Sequence, residues 1–242
     1  MVSCLCAGCY AGIAGFLSNR FGANMVIVTL MQNYVAQLFC SYLVNNVFVD
    51  DQGIARTAAL PQQARIGKLV EGHYLSASIL IGVALVAVVW FLLNRTRLGY
   101  RLHFVGSNPA SAETAGINTK RMMLITLLIS GALAGFCGAT QVMGVQYRFT
   151  DGFSSGYGFE GIAVAALAGN NPLTVLLSAI LWGGLKSGAS AVNRIASIPM
   201  DVISIIQALI VVFMVAPKLM DALCTPVRKL LAGSRRTAAR AE

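Results

Sequence analysis

The sequence predicts an all-α fold, a polytopic bundle of transmembrane helices, on the strength of three observations. Of its 242 residues, 57% are hydrophobic and only 11% are charged, and the mean hydropathy is +0.71. A soluble domain usually has about 25% charged residues. Uncharged apolar runs recur along the chain, and basic residues gather in blocks beside them. These three features together are typical of a multi-pass membrane protein.

Apolar runs set the expected number of spans, because a helix needs about 20 residues to cross a bilayer. Five runs are interpreted as full spans: residues 25–49, 75–93, 122–145, 173–192 and 202–216. Two further runs, 4–17 and 162–168, are too short to cross alone. We therefore expect about five full spans plus one or two short or broken helices.

A break is predicted between a short helix, 158–169, and the span that follows it, at Asn170-Asn171-Pro172. The two helices together would start and end on the same side, either by dipping into the membrane or by a short crossing and return. Broken backbone at membrane depth is tolerated only where it is buried in protein or lines a wet cavity. The break therefore indicates a functional region.

Basic blocks predict the orientation, since cytoplasmic loops carry the excess of Lys and Arg. The loop 94–121 holds five basic residues against one acid, and the tail after Pro217 holds six against two. We expect this loop, the turn at Arg20 and the tail to lie in the cytoplasm. The segments expected outside are 50–74, 146–160 and 193–201.

One transmembrane domain is expected over residues 1–221, followed by a basic, disordered cytoplasmic tail over 222–242. The tail and the basic loop are placed to touch anionic membrane lipid. Met1 is followed directly by apolar residues with no flanking charge, as if the chain began inside a bundle. This start predicts a truncated sequence or a late start site.

Several classes of function are disfavoured by the composition. The basic residues are not interleaved with aromatic ones, which argues against nucleic-acid binding. The six cysteines match neither zinc-site nor disulfide spacing,. His73 and His103 fall in loops on opposite sides of the membrane, and no nucleophile–base pair stands out. We therefore expect no metal site and no catalytic residues.

The stretch "GYGFEG", residues 156–161, matches the dinucleotide-binding pattern G-x-G-x-x-G. That pattern requires a preceding strand and an acid about 20 residues further on. A turn-like segment precedes Gly156, and "LSAILW" stands where the acid should be. A phosphate-binding P-loop is also absent from the sequence. We expect no cofactor in this chain, and interpret the glycines as a tight external turn with close packing of the short helix.

Polar residues inside predicted spans carry information because they are costly in lipid. Asn33 and Gln37 lie one turn apart on one helix face, Gln141 lies late in its span, and Lys186 interrupts another,. Two interpretations stay open: hydrogen bonds between helices, with Lys186 reaching the interface, or the lining of a pathway. No acid lies in the middle of a span, which argues against a proton-driven carrier.

Small residues spaced four apart, at Gly131/Gly135 and Gly184/Gly188, predict close helix packing,. The loop 94–121 contains a second local signal. Ser107 or Asn108 can cap a helix whose first residue is Pro109, and Gly116 suits the position just past its end. A short capped helix between basic flanks is shaped to dock against another protein.

This loop, "RLGYRLHFVGSNPASAETAGI", resembles the cytoplasmic coupling loop of ABC importer permeases of the branched-chain amino acid, ribose and nucleoside group. Three further stretches resemble the nucleoside and simple-sugar branch of that family. They are "FGANMVIVTLMQNYVA", "ISGALAGFCGATQVMGVQYR" and "GFSSGYGFEGIAVAALAGNNPL". The likeness runs from about residue 12 to residue 216.

The resemblance implies the permease subunit of an ATP-driven importer, forming the pathway for nucleosides or related simple sugars in a bacterial plasma (inner) membrane, with a cytoplasmic C-terminus. The alternatives are a secondary active transporter and an ABC permease for branched-chain amino acids. The implied partners are a second permease subunit, a cytoplasmic ABC ATPase that binds the ATP, and an extracytoplasmic solute-binding (lipo)protein. The chain itself would not be an enzyme.

The resemblance implies an ATPase-coupling set of Gly106, Asn108, Ala112, Gly116 and Ile117. It also places the stretch 153–160 and the helix after it near the pathway. The candidate pathway residues are therefore the polar span residues Asn33, Gln37 and Gln141, together with Phe153, Phe159, Glu160, Asn170 and Asn171. Members of the branch usually carry additional N-terminal spans, and an acid in the "GANMVI" turn where Met25 stands here.

Overall fold

The computed structural model describes residues 1–48, 56–67, 77–152 and 156–196, with the isolated positions 202, 205, 206, 208 and 209. Its main elements in these ranges are eight α-helices. They are α1 (Val2–Phe21), α2 (Met25–Asn46), α3 (Ser78–Arg95), α4 (Arg97–Ser107), α5 (Pro109–Thr114), α6 (Thr119–Gln141), α7 (Tyr157–Leu167) and α8 (Pro172–Ala196). The chain divides into two units, residues 1–155 and 156–242.

Asparagine side chains begin four of these helices, α2, α5, α6 and α8. The side-chain oxygen of Asn24 accepts a hydrogen bond from the backbone N–H of Val26 at 3.0 Å and starts α2. Asn108 and Asn118 cap α5 and α6 in the same way. A cap of this kind satisfies one of the otherwise unpaired N–H groups of a first turn. The turns between the helices are therefore specified locally by the sequence.

Helices α1 and α6 pack against each other in antiparallel orientation and form the main helix contact of the first unit. At one end the hydroxyl of Ser3 donates to the carbonyl of Gly135 at 2.7 Å. At the other end the amide of Asn19 donates to the carbonyl of Lys120 at 2.9 Å. Arg20 therefore lies at the same end of the pair as the basic start of α6.

Glycine makes this close approach possible. A Cβ built on Gly131 would lie 2.6 Å from the backbone oxygen of Ala7, and one on Gly135 would lie 2.5 Å from that of Ser3. The predicted packing role of these two glycines is confirmed. No described atom lies within 4 Å of a Cβ on Gly184 or Gly188, so their predicted contact is not found within the described residues.

The segment 56–67 runs beside the stretch that follows α6. The backbone N–H of Thr57 donates to the carbonyl of Phe149 at 2.8 Å, and that of Leu60 donates to Tyr147, also at 2.8 Å. The chain leaves α6 through one π-helical turn, Val142–Gln146. Both segments were predicted on the same side of the membrane, and their hydrogen bonds agree with that prediction.

In the second unit, α7 and α8 form a helical hairpin. Gly169 and Asn170 both have positive φ, 62° and 59°, which reverses the chain. The side chain of Asn171 accepts from the N–H of Leu173 at 3.2 Å, and α8 begins at Pro172. The predicted break at this position is confirmed as a break in the helix.

Among the described residues, five helices are long and apolar enough to cross a membrane, and the predicted fold class is confirmed. Their ranges are Val2–Phe21, Met25–Asn46, Ser78–Arg95, Thr119–Gln146 and Pro172–Ile195, with Tyr157–Leu167 as a shorter apolar helix. The interpretation of 4–17 as too short was wrong. Polar residues that end its apolar run, such as Ser3 and Asn19, continue the helix because they hydrogen-bond to α6. Most of the predicted span 202–216 and the tail 222–242 lie outside the described residues.

Candidate functional site

The predicted coupling loop is mostly helical. Helix α4 was not predicted from the sequence, and it begins at Thr96, whose hydroxyl accepts from the N–H of Gly99 at 3.3 Å. Leu98, Leu102 and Val105 recur at helical spacing, and this amphipathic pattern was the available signal,. The loop therefore presents two consecutive helices, α4 and α5.

Gly99 is buried at the junction of α3 and α4. A Cβ at this position would collide with the backbone oxygen of Leu93 and lie 2.5 Å from that of Leu92. Only glycine allows the start of α4 to lie against the end of α3 in this way. The position of α4 thus depends on the end of α3, a helix long enough to span a membrane.

Helix α5 begins and ends as predicted. The side chain of Asn108 accepts from the N–H of Ser111 at 3.2 Å, and Pro109 is the first helical residue. At the other end the N–H of Gly116 donates to Glu113, and the N–H of Ile117 donates to Ala112, both at 2.9 Å. This pair of bonds is a Schellman motif, which requires the left-handed φ of 77° at Gly116,.

The predicted coupling residues fall into two groups. Gly106, Asn108 and Gly116 are exposed, whereas Ala112 is 0% exposed and Ile117 is half-buried. Ala112 therefore packs α5 onto the protein and does not itself present a surface. An open hollow of about 440 Å³ lies beside them, and Arg101, Ile117, Arg121 and Met122 are among its lining residues.

The pathway residues of the first unit lie on two helices. Asn33 and Gln37 are exposed on α2, and neither hydrogen-bonds to the rest of the described chain. Gln141 is half-buried at the end of α6, where the π-helical turn begins. Gln32, one position before Asn33, instead faces α1, where its amide donates to the carbonyl of Tyr10.

One predicted pathway residue of the second unit, Glu160, forms an ion pair with Lys186. The ammonium of Lys186 lies 2.6 Å and 2.7 Å from the two carboxylate oxygens of Glu160. It also lies 4.6 Å from the ring centroid of Tyr157. Phe159 is exposed, Asn170 and Asn171 form the hairpin turn, and Phe153 lies outside the described residues.

This ion pair was not predicted from the sequence. Two interpretations of Lys186 stayed open there, that its side chain reaches the membrane interface or that it lines a pathway. The available signal was weak, because the two charges lie 26 positions apart on different helices. Of the glycines of "GYGFEG", Gly156 has a φ of 87° and caps α7, so the predicted turn is confirmed. The predicted close packing is not found, because no described atom lies within 4 Å of a Cβ on Gly158 or Gly161.

Long apolar helices, small-residue packing and a broken helical hairpin define a multi-pass helical membrane protein,. More particularly, the chain belongs to the family described as branched-chain amino acid transport system / permease component, whose model matches residues 1–215.

Several relatives of the chain are named as permease proteins of ABC transporters. The chain is 34% identical to the guanosine ABC transporter permease protein NupP of Bacillus subtilis, over 85% of this chain and 60% of the relative. It is 32% identical to the glucose ABC transporter permease protein TsgB13 of Haloferax volcanii, over 89% and 60%. It is 28% identical to the nucleoside ABC transporter permease protein NupB of Lactococcus lactis, over 97% and 67%.

The chain thus spans about 60% of the length of the first two of these relatives. No solved structure matches it significantly.

Proposed function

We propose that this chain acts as the membrane-spanning permease subunit of an ATP-driven ABC importer for nucleosides or related simple sugars. The family match over residues 1–215 carries this proposal. The solute class is supported by the relatives, which are named for guanosine, glucose and nucleosides. ATP hydrolysis is then assigned to partner ATPase subunits, and delivery of solute to an extracytoplasmic binding protein.

The proposed place of the chain is the bacterial inner membrane, with α4 and α5 on the cytoplasmic side. The antiparallel α1–α6 pair supports this orientation. It brings Arg20 to the end where Lys120 and Arg121 begin α6, so three basic residues gather at one membrane face. The positive-inside tendency places that face in the cytoplasm.

Helix α5 is the proposed docking element for the ATPase. It is capped at both ends and held to the protein by the buried Ala112, while Ala110, Ser111 and Thr114 are exposed. Because residue 99 is glycine, the start of α4 packs directly against the backbone at the end of α3. A rigid joint of this kind transmits a movement of the ATPase to a spanning helix, which a flexible loop would not do.

Co-purification tests the proposal. The chain is expressed from its own gene cluster, and the ATPase that remains bound is quantified for the wild type, Gly116→Trp and Gly22→Trp. Gly22 is the matched control, because it also has a left-handed φ, 66°, and open space around it. We expect about tenfold less ATPase on Gly116→Trp and no loss on Gly22→Trp.

Uptake measurements separate the alternatives. Solute uptake that requires ATP and the binding protein supports the proposal. Uptake into proteoliposomes from an ion gradient alone, with the chain as the only protein, would establish a secondary transporter instead. Uptake of leucine, with none of guanosine or glucose, would establish a branched-chain amino acid permease.

A further inference from the structure

Helix α2 carries a row of hydrogen-bonding side chains beyond the two that were predicted as pathway residues. Asn33, Gln37, Ser41 and Asn45 follow one another at intervals of four residues, and Tyr34 lies beside them. At 1.5 Å and 100° per residue they cover about 18 Å of the helix within a sector of about 120°. We call these five residues the α2 polar face.

One end of the α2 polar face is tied to the segment after α6. The hydroxyl of Ser41 donates to a carboxylate oxygen of Asp151 at 2.8 Å, and the amide of Asn45 lies 3.3 Å from the same oxygen. At the other end, Asn33, Tyr34 and Gln37 are exposed and make no hydrogen bond with the described residues. The face thus has one end hydrogen-bonded to the carboxylate of Asp151, and another end whose polar groups have no partner among the described residues.

Contact with lipid hydrocarbon is energetically unfavourable for the α2 polar face. An amide in hydrocarbon without a hydrogen-bond partner is strongly unfavourable, because it loses its hydrogen bonds to water and gains none. Polar residues in spans therefore face protein or water. The face lies on a helix that is long and apolar enough to span a membrane, so either protein or an aqueous path must cover it.

The helix interface that this chain does form looks different. Helices α1 and α6 meet through small residues, with Ala7 against Gly131 and Ser3 against Gly135. Such residues allow backbones to approach closely. Long side chains on α2 can also meet a helix, as Gln32 meets Tyr10 of α1. Tyr34 and Gln37 have no such partner among the described residues, so their hydrogen-bonding groups stay available to a solute.

We propose that the α2 polar face binds the passing solute, and that the solute is neutral and rich in hydroxyl groups, as a sugar or the ribose of a nucleoside is. Amide groups both donate and accept, as hydroxyl groups do. The ring of Tyr34 offers an apolar surface for a sugar or base. Residues 25–48 contain no charged side chain, and Asp151 is an acid. An amino acid carboxylate would therefore find no cation on this face.

This inference rests on the proposed function and is tested by transport kinetics. Uptake of radiolabelled guanosine, glucose and leucine is measured in cells that express the transporter from its own gene cluster. The variants Asn33→Leu and Gln37→Met remove hydrogen-bonding groups while keeping similar size. The matched control is Gln32→Met, which changes the same residue type on the side of α2 that faces Tyr10.

We expect Asn33→Leu and Gln37→Met each to raise the apparent KM for the transported solute about three- to tenfold, the effect of one lost hydrogen bond. Gln32→Met should alter the amount of assembled protein and leave KM unchanged. Wild-type KM at both face positions, with wild-type uptake intact, would overturn the inference and leave the proposed function standing. Transport of leucine alone, or of none of the three solutes, would overturn both.

A labelling measurement tests the same inference if Asn33→Leu or Gln37→Met assembles poorly. Gln37→Cys is made in a chain whose native cysteines are replaced, including Cys40 on the same helix. A membrane-impermeant thiosulfonate should react with this cysteine in the assembled transporter, and the transported solute should slow the reaction about tenfold or more. Absence of reaction under all conditions, with loss of assembly in Gln37→Met, would assign the face to a second permease subunit instead. Reaction that the solute does not slow would also overturn the inference.

Discussion

Lys186 on α8 binds both carboxylate oxygens of Glu160 on α7, at 2.6 Å and 2.7 Å. The side chains are 42% and 32% exposed, so the pair is only partly shielded by the chain itself. It lies away from the turn at Gly169 and Asn170 and closes the α7–α8 hairpin at a second point. The hairpin is therefore held by a charge contact as well as by its turn.

Removing both of these charges should destabilise the hairpin by less than the sum of the two single removals. We expect Glu160→Gln and Lys186→Met to show a coupling free energy of about 1 kcal/mol in a double-mutant cycle, a small value because the pair is partly exposed. Thermal unfolding of the full chain in detergent measures this. The control is Arg194→Met, since the Nε of Arg194 donates only within its own helix, to Ser190 at 3.3 Å. Additive effects of the Glu160 and Lys186 changes would show that the ion pair contributes nothing to the free energy of unfolding.

The α1–α6 contact should be sensitive to a single methyl group. Gly131→Ala places a Cβ 2.5 Å from that of Ala11 and 2.6 Å from a backbone oxygen, so the helices must separate. We expect a loss of about 1–3 kcal/mol in the free energy of unfolding.

Gly138→Ala on the same helix is the matched control, because no described atom lies within 4 Å of its Cβ. Alanine is the better helix former by about 1 kcal/mol, so this variant should be unchanged or slightly more stable. Equal stability of the two variants would contradict the packing role of Gly131.

The joint between α3 and α4 should fail when Gly99 is replaced. Gly99→Ala brings a Cβ against the backbone oxygens of Leu92 and Leu93, which cannot move without disrupting α3. We expect faster proteolysis of the 94–121 loop. Gly106→Ala, also in α4 but with open space around it, should be cleaved at the wild-type rate. Wild-type resistance of Gly99→Ala would show that the joint is not rigid.

The cap of α5 should set how well the helix is formed. Asn108→Ala removes the oxygen that accepts from Ser111, at an expected cost of about 1 kcal/mol,. Asn108→Asp keeps an accepting oxygen and should behave as the wild type does. Hydrogen exchange of the α5 amides measures both variants. If the cap matters for coupling, ATPase retention should fall in the alanine variant only.

Local signals in the sequence were sufficient for much of this protein. The low charge content and the apolar runs predicted a membrane bundle, because crossing lipid requires long uncharged helices whatever their neighbours are. The start and end of α5 at Asn108 and Gly116 also followed from the sequence, since capping and left-handed turns depend on residues within a few positions of each other.

Only the tertiary structure decided which distant residues meet. Ser3 and Asn19 extend α1 because α6 supplies their hydrogen-bond acceptors, and no property of residues 1–22 reveals that partner. Lys186 and Glu160 meet for the same reason, across two helices joined by a reversed turn. A sequence states what each side chain can bond to, and packing in three dimensions selects the partner.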